Sequence, residues 1–246
     1  MTFKAPVRDI LFAIEALSAW PEVLALEEYA GIDISDAEAA LDGLGRFCAE
    51  VVAPLSPAGD QAGAQFDGGR VTLPEANVQA YEQFAAMGWQ ALPHPAAHGG
   101  MGLPRAVGAA ATEILNAADL SFGLCPLLTD GAVEALLLTG SDAQKQRYLE
   151  PLISGRWSGT MNLTEPQAGS DLGLVRTKAE PGADGAYAVT GTKIFITYGE
   201  HDLTENIIHL VLARTPDAPA GPKGLSLFIV QKYLVEEDAT PRARNA

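Results

Sequence analysis

Met161-Asn162-Leu163-Thr164-Glu165-Pro166-Gln167-Ala168-Gly169-Ser170-Asp171 is the stretch on which the reading of this 246-residue chain turns. Thr164 is a β-branched hydroxyl donor at what reads as a strand end, and Pro166 blocks further strand pairing. Gly169 permits a backbone conformation closed to other residues. Ser170 and Asp171 then fit a turn whose N–H groups face outward, able to meet an anionic phosphate. A second stretch follows, Lys193-Ile194-Phe195-Ile196-Thr197. Thr197 again carries a hydroxyl at a strand end, and Phe195 offers a flat apolar surface that can support a ring system. By itself the pattern fits either a strand–turn structural element or a seat for a ring that bears an anion.

Before residue 156 the chain reads as helices. Val7, Ile10, Leu11, Ile14 and Leu17 recur at helical spacing. Pro21 can open a second short helix, where its missing N–H costs nothing. Ser35-Asp36-Ala37-Glu38 is a capping-box pattern, followed by Leu41, Leu44, Phe47, Cys48 and Val51 on one face, with Pro54 as the stop. Residues 56–69, rich in Gly, Pro and Ala, read as a loop. A helix is expected over 74–87 with Gly88 as its stop, then a loop over 92–104. Helices over 105–118 and 127–139 look largely apolar, as buried helices do. Ser141-Asp142-Ala143-Gln144 caps a short helix to Leu149.

After Trp157 the texture changes. Residues 175–180 alternate weakly, Asp184-Gly185 signals a hairpin turn, and Thr190-Gly191 marks another. Short runs of β-formers fall at 187–189, 194–196, 207–213 and 225–230. The expected fold class is therefore α+β, with an all-helical part over 1–156 and an antiparallel β-barrel-like or sandwich part over 157–246. The polar residues 236–246 lack a closing element, which makes the β layer read as incomplete.

The formal net charge of −15 argues against nucleic acid and anionic membrane surfaces, which are bound through clustered Lys and Arg. It also repels an anionic ligand at long range, so such a ligand needs local cations, Arg176 and Lys178 among them, or backbone amides. The two cysteines, Cys48 and Cys125, read as buried free thiols in a reducing compartment. No uncharged apolar run approaches the roughly 20 residues of a membrane span, and the opening residues do not form a signal peptide. The expected location is the cytoplasm.

Several chemistries lack their motifs. Gly100-Met101-Gly102-Leu103-Pro104-Arg105 begins like a dinucleotide fingerprint but has no third glycine and no preceding strand. Gly155-Arg156-Trp157-Ser158-Gly159 carries its serine one place late for a nucleophile elbow. His94 and His98 could share a helix face, but Pro93 and Pro95 oppose that helix, and no metal site is assigned. Asp130, Glu134 and Glu165 are unpaired in spacing and read as solvated or capping groups.

The signature stretches resemble the flavin-binding signature of the acyl-CoA dehydrogenase family, and the likeness runs over residues 34–233. Supporting matches are His98-Gly99-Gly100-Met101-Gly102-Leu103, Lys145-Gln146-Arg147-Tyr148-Leu149-Glu150-Pro151-Leu152-Ile153-Ser154-Gly155, and Asp184-Gly185-x-Tyr187 with Gly191-x-Lys193. The opening, with Phe3-Lys4-Ala5-Pro6-Val7-Arg8-Asp9, resembles a longer bacterial branch of that family. The resemblance implies FAD as cofactor and α,β-dehydrogenation of an acyl-CoA thioester as activity. It implies that Met161, Leu163 and Thr164 contact the isoalloxazine ring, Thr164 bonding its pyrimidine edge. Gly169 and Ser170 would lie at the FAD pyrophosphate, with Ser170 also bordering the acyl-CoA channel. Phe195 would pack beside the ring, where the family often has tryptophan, and Thr197 would bond near flavin N5.

The resemblance further implies an electron-transferring flavoprotein as electron acceptor and a homo-oligomer at full length. In the family the catalytic glutamate lies in a C-terminal helical domain, which nothing here resembles. No residue of this chain is therefore assigned as the catalytic base, Glu165 included. The expectation is a truncated enzyme, inactive by itself and prone to self-association through apolar surface left uncovered. The alternatives are a non-catalytic binding or assembly module completed by another chain, or a fragment of an acyl-CoA oxidase.

Overall fold

The helical part follows from its apolar stripes. In the computed structural model, which describes residues 3–183, 185–235 and 241–245 (Pro241 and Arg242 by backbone alone), α1 (Val7–Leu17) buries Val7, Leu11 and Ile14. Pro21 sits in the first turn of α2 (Trp20–Leu24). In α3 (Ile34–Phe47) the buried Leu41, Leu44 and Phe47 lie where expected, but the cap does not. Asp33 accepts the amides of Ser35 and Asp36, and the Asp36 carboxylate accepts the Asp33 amide. Residues 33–38 hold two overlapping box patterns, and the one whose N-cap is a carboxylate rather than a hydroxyl is used.

Pro54 does not end this helix. A π turn (Cys48–Val52) widens the backbone so that the Ala53 amide bonds the Cys48 carbonyl. Pro54, with no amide to place, then occupies the first turn of α4 (Ala53–Ala62). The expected 56–69 loop is thus part helix, and its remainder holds β1 (Gln65–Asp67) and the turn that leads to its antiparallel partner β2 (Arg70–Thr72). α5 (Glu75–Ala86) stops where Gly88 takes φ 75°. After α6 (Arg105–Ala118), α7 (Leu120–Thr139) starts well before 127, capped by Asp119, and carries Pro126 inside it. α8 (Asp142–Ile153) has the Ser141–Gln144 box but runs past Leu149 and through Pro151.

α7 is long and apolar enough to cross a bilayer by length and composition, but nearly half of it is buried inside the fold. Its Asp130 and Glu134 pair with His94 and Arg105 from other segments, the behaviour of a core helix. Its far face is not covered as expected: Leu120, Leu127 and Leu138 are exposed.

The β part contains β3 (Trp157–Asn162), β4 (Lys178–Pro181), β5 (Tyr187–Thr190), β6 (Asn206–Ala213), β7 (Ser226–Gln231), β8 (Tyr233–Val235) and β9 (Pro241–Arg244). Its main sheet has the order β3-β6-β7, while β4–β5 and β8–β9 form separate antiparallel pairs. The helical-then-β architecture is the α+β class read from the sequence. Within it, β3 departs from the antiparallel expectation and runs parallel to β6, with Trp157 opposite Asn206 and Asn162 opposite Val211. A parallel pair requires a long connection, and residues 163–205 supply it. Residues 194–196 are not a strand. β9 pairs with β8 in the stretch expected to hold no closing element; residues 236–240 and 246, and Asp184 of the expected turn, lie outside the described residues.

Two cores result. One joins the helices around Leu41, Leu44, Tyr81, Phe84, Ile114 and Phe122. The other packs Val133, Leu136, Leu149, Leu152 and Ile153 against Trp157 and Ile208 of the sheet. Gly159 permits that contact, since a Cβ there would lie 2.4 Å from the Ala132 Cβ. Cys48 and Cys125 are free and buried, and burial pushes the Cys48 thiol up to about 12 and that of Cys125 higher still.

Candidate functional site

The first signature stretch leaves the sheet as β3 ends. Met161 lies opposite Leu210 in the parallel ladder, and Leu163 and Thr164 follow, all half-buried. Glu165 and Ala168 then exchange two backbone hydrogen bonds of 3.0 Å around an exposed Pro166. Proline's fixed φ suits this turn position. Ser170 and Asp171 are exposed, and the Asp171 carboxylate accepts the Gly173 amide at 2.8 Å. The amides of Gly169, Ser170 and Asp171 have no hydrogen-bond partner among the described residues. The expectation for Gly169 itself is corrected: its φ is not positive, and a Cβ there would meet nothing within 4 Å. What the glycine provides is open space over three free amides.

The second stretch is a turn, not a strand end. Phe195 takes φ 56° and Tyr198 φ 51°, a left-handed conformation that β-branched neighbours such as Ile194 and Ile196 do not disclose. Two contacts hold it: the Ile194 amide donates to the Thr164 carbonyl at 3.0 Å, and the Tyr198 hydroxyl to the Ser121 carbonyl at 2.6 Å. The first of these brings the two signature stretches together. Phe195 is left 89% exposed. The Thr164 and Thr197 hydroxyls are half-buried and have no partner among the described residues. Thr197 and Tyr198 also line a cleft of about 880 Å³ shared with Asp119, Ser121, Phe122 and His201. No hydrogen bond among the described residues joins Ser170 to Phe195 or Thr197.

Glu165 is not the solvated group expected. It is 3% exposed and accepts the amides of Arg176 (2.8 Å) and Thr177 (3.0 Å), the Thr177 hydroxyl, the Gln167 amide group, and Lys193 Nζ (2.9 Å). Burial disfavours the charged carboxylate, but these donors outweigh it and pull the pKa down to about 2. Lys193 Nζ also donates to the Leu163 carbonyl at 2.9 Å. Gly191 lets Thr177 reach this centre, because a Cβ there would lie 2.2 Å from the Thr177 hydroxyl oxygen. Sequence reasoning missed Lys193 and Thr177. One signal was available: Lys193 is a lone cation at the head of an apolar run.

Asp130 and Glu134 are likewise not simply solvated. His94 Nε2 lies 2.9 Å from Asp130, Gln90 donates to the same oxygen, and Arg105 lies 2.5 Å from Glu134. His98 does not join His94, and among the described residues no three His, Cys, Asp or Glu side chains converge as a metal site would require.

The rim at 161–171 and 194–197 therefore offers hydroxyls for the polar edge of a planar ring, an exposed aromatic face, and free amides for an anion. Comparison with known proteins identifies the family of the chain. The family profile "Acyl-CoA dehydrogenase, N-terminal domain" matches residues 21–156, and "Acyl-CoA dehydrogenase, middle domain" matches residues 160–241. The chain is 66% identical to 3-methylmercaptopropionyl-CoA dehydrogenase of Ruegeria pomeroyi over 245 residues, all of this chain and 42% of that relative's length. A solved structure described as electron transferring flavoprotein of Acidaminococcus fermentans aligns with a TM-score of 0.68 at 27% identity, over 82% of this chain and 49% of that one. An acyl-CoA dehydrogenase from Bacillus anthracis, complexed with FAD, shares the fold with a TM-score of 0.66 at 24% identity, over 82% of this chain and 32% of that one. The chain thus spans less than half the length of these proteins, and it belongs to the acyl-CoA dehydrogenase family.

Proposed function

We propose that this chain forms the FAD-binding wall of an enzyme that dehydrogenates an acyl-CoA thioester between its α and β carbons. The observation that carries the reading is the Ile194–Thr164 hydrogen bond, which sets Thr164, Phe195 and Thr197 along one rim. The residues present fit the cofactor: two half-buried hydroxyls lack partners among the described residues, and three successive amides beside Ser170 are free. Thr164 would hold the pyrimidine edge, with Met161 and Leu163 along the ring. Phe195 would cover its side, Thr197 would lie near N5, and Gly169 and Ser170 would take the pyrophosphate, Ser170 also bordering the acyl-CoA channel.

When bound, FAD supplies the acceptor for the hydride that leaves the β carbon. The chain's own contribution is to bind and orient. Free amides and hydroxyls fixed before binding need no reorganisation, which is where such sites gain their effect. The proton at the α carbon needs a base, and none of the carboxylates near the site is assigned to it. Glu165 is buried under its hydrogen bonds, while Asp130 and Glu134 are engaged by His94 and Arg105. The division at residues 156 and 157, the acyl-CoA substrate, an electron-transferring flavoprotein as acceptor, homo-oligomer formation and a cytoplasmic location belong to the same proposal.

The test is titration of the purified chain with FAD, read by flavin fluorescence and visible absorbance, alongside acyl-CoA-dependent dye reduction. Saturable binding without turnover is expected. Thr164→Ala and Thr197→Ala should each weaken binding by about 1 kcal/mol, roughly fivefold. Absence of saturable binding would overturn the cofactor assignment, and robust turnover would overturn the assignment of no base.

A further inference from the structure

Three parts of the chain meet at one carboxylate. Glu165 follows Thr164 directly. Lys193, which it binds, precedes Ile194, and Arg176 and Thr177 belong to the segment that leads from the Ser170 turn into β4. Lys193 is 9% exposed and Glu165 3%, so the pair is shielded from water and held by short contacts on both sides. Lys193 Nζ also binds the Leu163 carbonyl, and the Ile194 amide binds the Thr164 carbonyl. The two stretches of the rim are thus joined by a backbone bond and by a buried ion pair beside it. The donors around Glu165 hold its carboxylate ionised well below the ordinary carboxylate range.

We propose that Glu165 is a positioning residue for the cofactor rim: acting through Lys193, it sets the separation of residues 163–164 from residues 194–197 and anchors the Ser170 turn through Arg176 and Thr177. Its carboxylate is buried and occupied by protein donors, so its part is to position rather than to contact the cofactor. The inference rests on the FAD reading above but makes a claim about the apo chain that the reading does not. A carboxamide at 165 keeps the shape and loses the charge. Lys193 then has no anionic partner, and the rim loses its brace while the sheet, held by its own ladder, remains.

The experiment uses Glu165→Gln and the near-isosteric Thr177→Val in the full 246-residue chain. In apo protein, hydrogen exchange at the Ile194 amide should accelerate about tenfold or more in Glu165→Gln, while the Leu210 amide within β6 keeps its rate. With FAD added, the dissociation constant should rise about tenfold and the visible spectrum at saturation should shift, since the donors at the ring edge are displaced. Glu150→Gln, at an exposed ion pair with Arg156, should leave both readouts unchanged. Unchanged exchange at Ile194 would overturn the brace. Faster exchange with wild-type FAD affinity and spectrum would overturn the positioning role and leave a structural one. A wild-type chain that protects Ile194 but binds no FAD would overturn the cofactor reading and the positioning role with it, while the brace stands. If Glu165→Gln does not fold, Thr177→Val carries the test with a smaller effect in the same direction.

Discussion

Glu165 in the β half and the Asp130–Glu134 pair in the helical half both tie distant segments together, yet they are built differently. Glu165 is buried and its oxygens are met on every side by Thr177, Arg176, Gln167 and Lys193. Asp130 and Glu134 remain 29% and 30% exposed. Beside them, Gln90 Oε1 and His94 Nδ1 are buried without a hydrogen-bond partner among the described residues. A fully satisfied buried network fixes backbone geometry; a partly satisfied, partly wet one tolerates displacement. The difference explains why the rim is braced from the β half, whereas His94, Gln90 and Arg105 mainly seat a loop and a helix on α7.

Acid should give the largest effect and act on the β half. A buried and a half-buried histidine lie there: His201 is hydrogen-bonded to Ser158 and accepts the Leu203 amide, and the half-buried His209 is bonded to Thr160. Desolvation, aided by the charge of Lys232, lowers His201 to about 3, and desolvation lowers His209 to about 4 against the opposing charge of Glu200, both from an ordinary 6.5. Glu165 drops from 4.5 to about 2. In every case the unfolded chain takes up protons that the folded chain refuses. The stability is therefore complete above pH 6.5, is lost first through the histidines, and is lost further through Glu165 as pH falls from 4.5 toward 2. Each excess proton adds a slope of about 1.4 kcal/mol per pH unit. Urea midpoints between pH 7 and 4 measure it, and His209→Gln should flatten the upper limb. A level profile from pH 7 to 5 would break the contrast.

Lys193→Met comes next. It leaves Glu165 charged in a dry site without its cation, a loss of about 3–5 kcal/mol by urea unfolding. Asp130→Asn should cost less, about 1–3 kcal/mol, because water reaches that centre and the carboxamide can still accept from His94 or Gln90. If Asp130→Asn proved the more damaging of the two, the ranking of the centres would be reversed.

Local chemistry made much of the molecule legible. The stripe of Val7, Leu11 and Ile14, the Ser141–Gln144 box and the Gly88 stop all act through neighbours within about one helical turn, and each lies where its pattern places it. The misreadings have equally specific causes. Pro54 signals a stop, but a π turn accommodates it, and the helix expected from 127 begins at Leu120 with Pro126 inside it. Residues 194–196 have strand composition, yet Phe195 is held left-handed by contacts at Thr164 and Ser121, neither of them near in sequence. Glu165 looked like a surface carboxylate because its partners lie 11, 12 and 28 residues away.

The sequence by itself determined the helices, the change to strands at Trp157, the α+β class and, through its signature stretches, the family. These depend on periodicity, capping and turn chemistry, which are short-range. The tertiary structure alone decided that β3 pairs in parallel with β6, that Phe195 is exposed on a left-handed turn, and that Glu165 and Lys193 meet behind the rim. Those outcomes depend on which distant donors and acceptors must satisfy one another once water is excluded, and that requirement exists only in the folded chain.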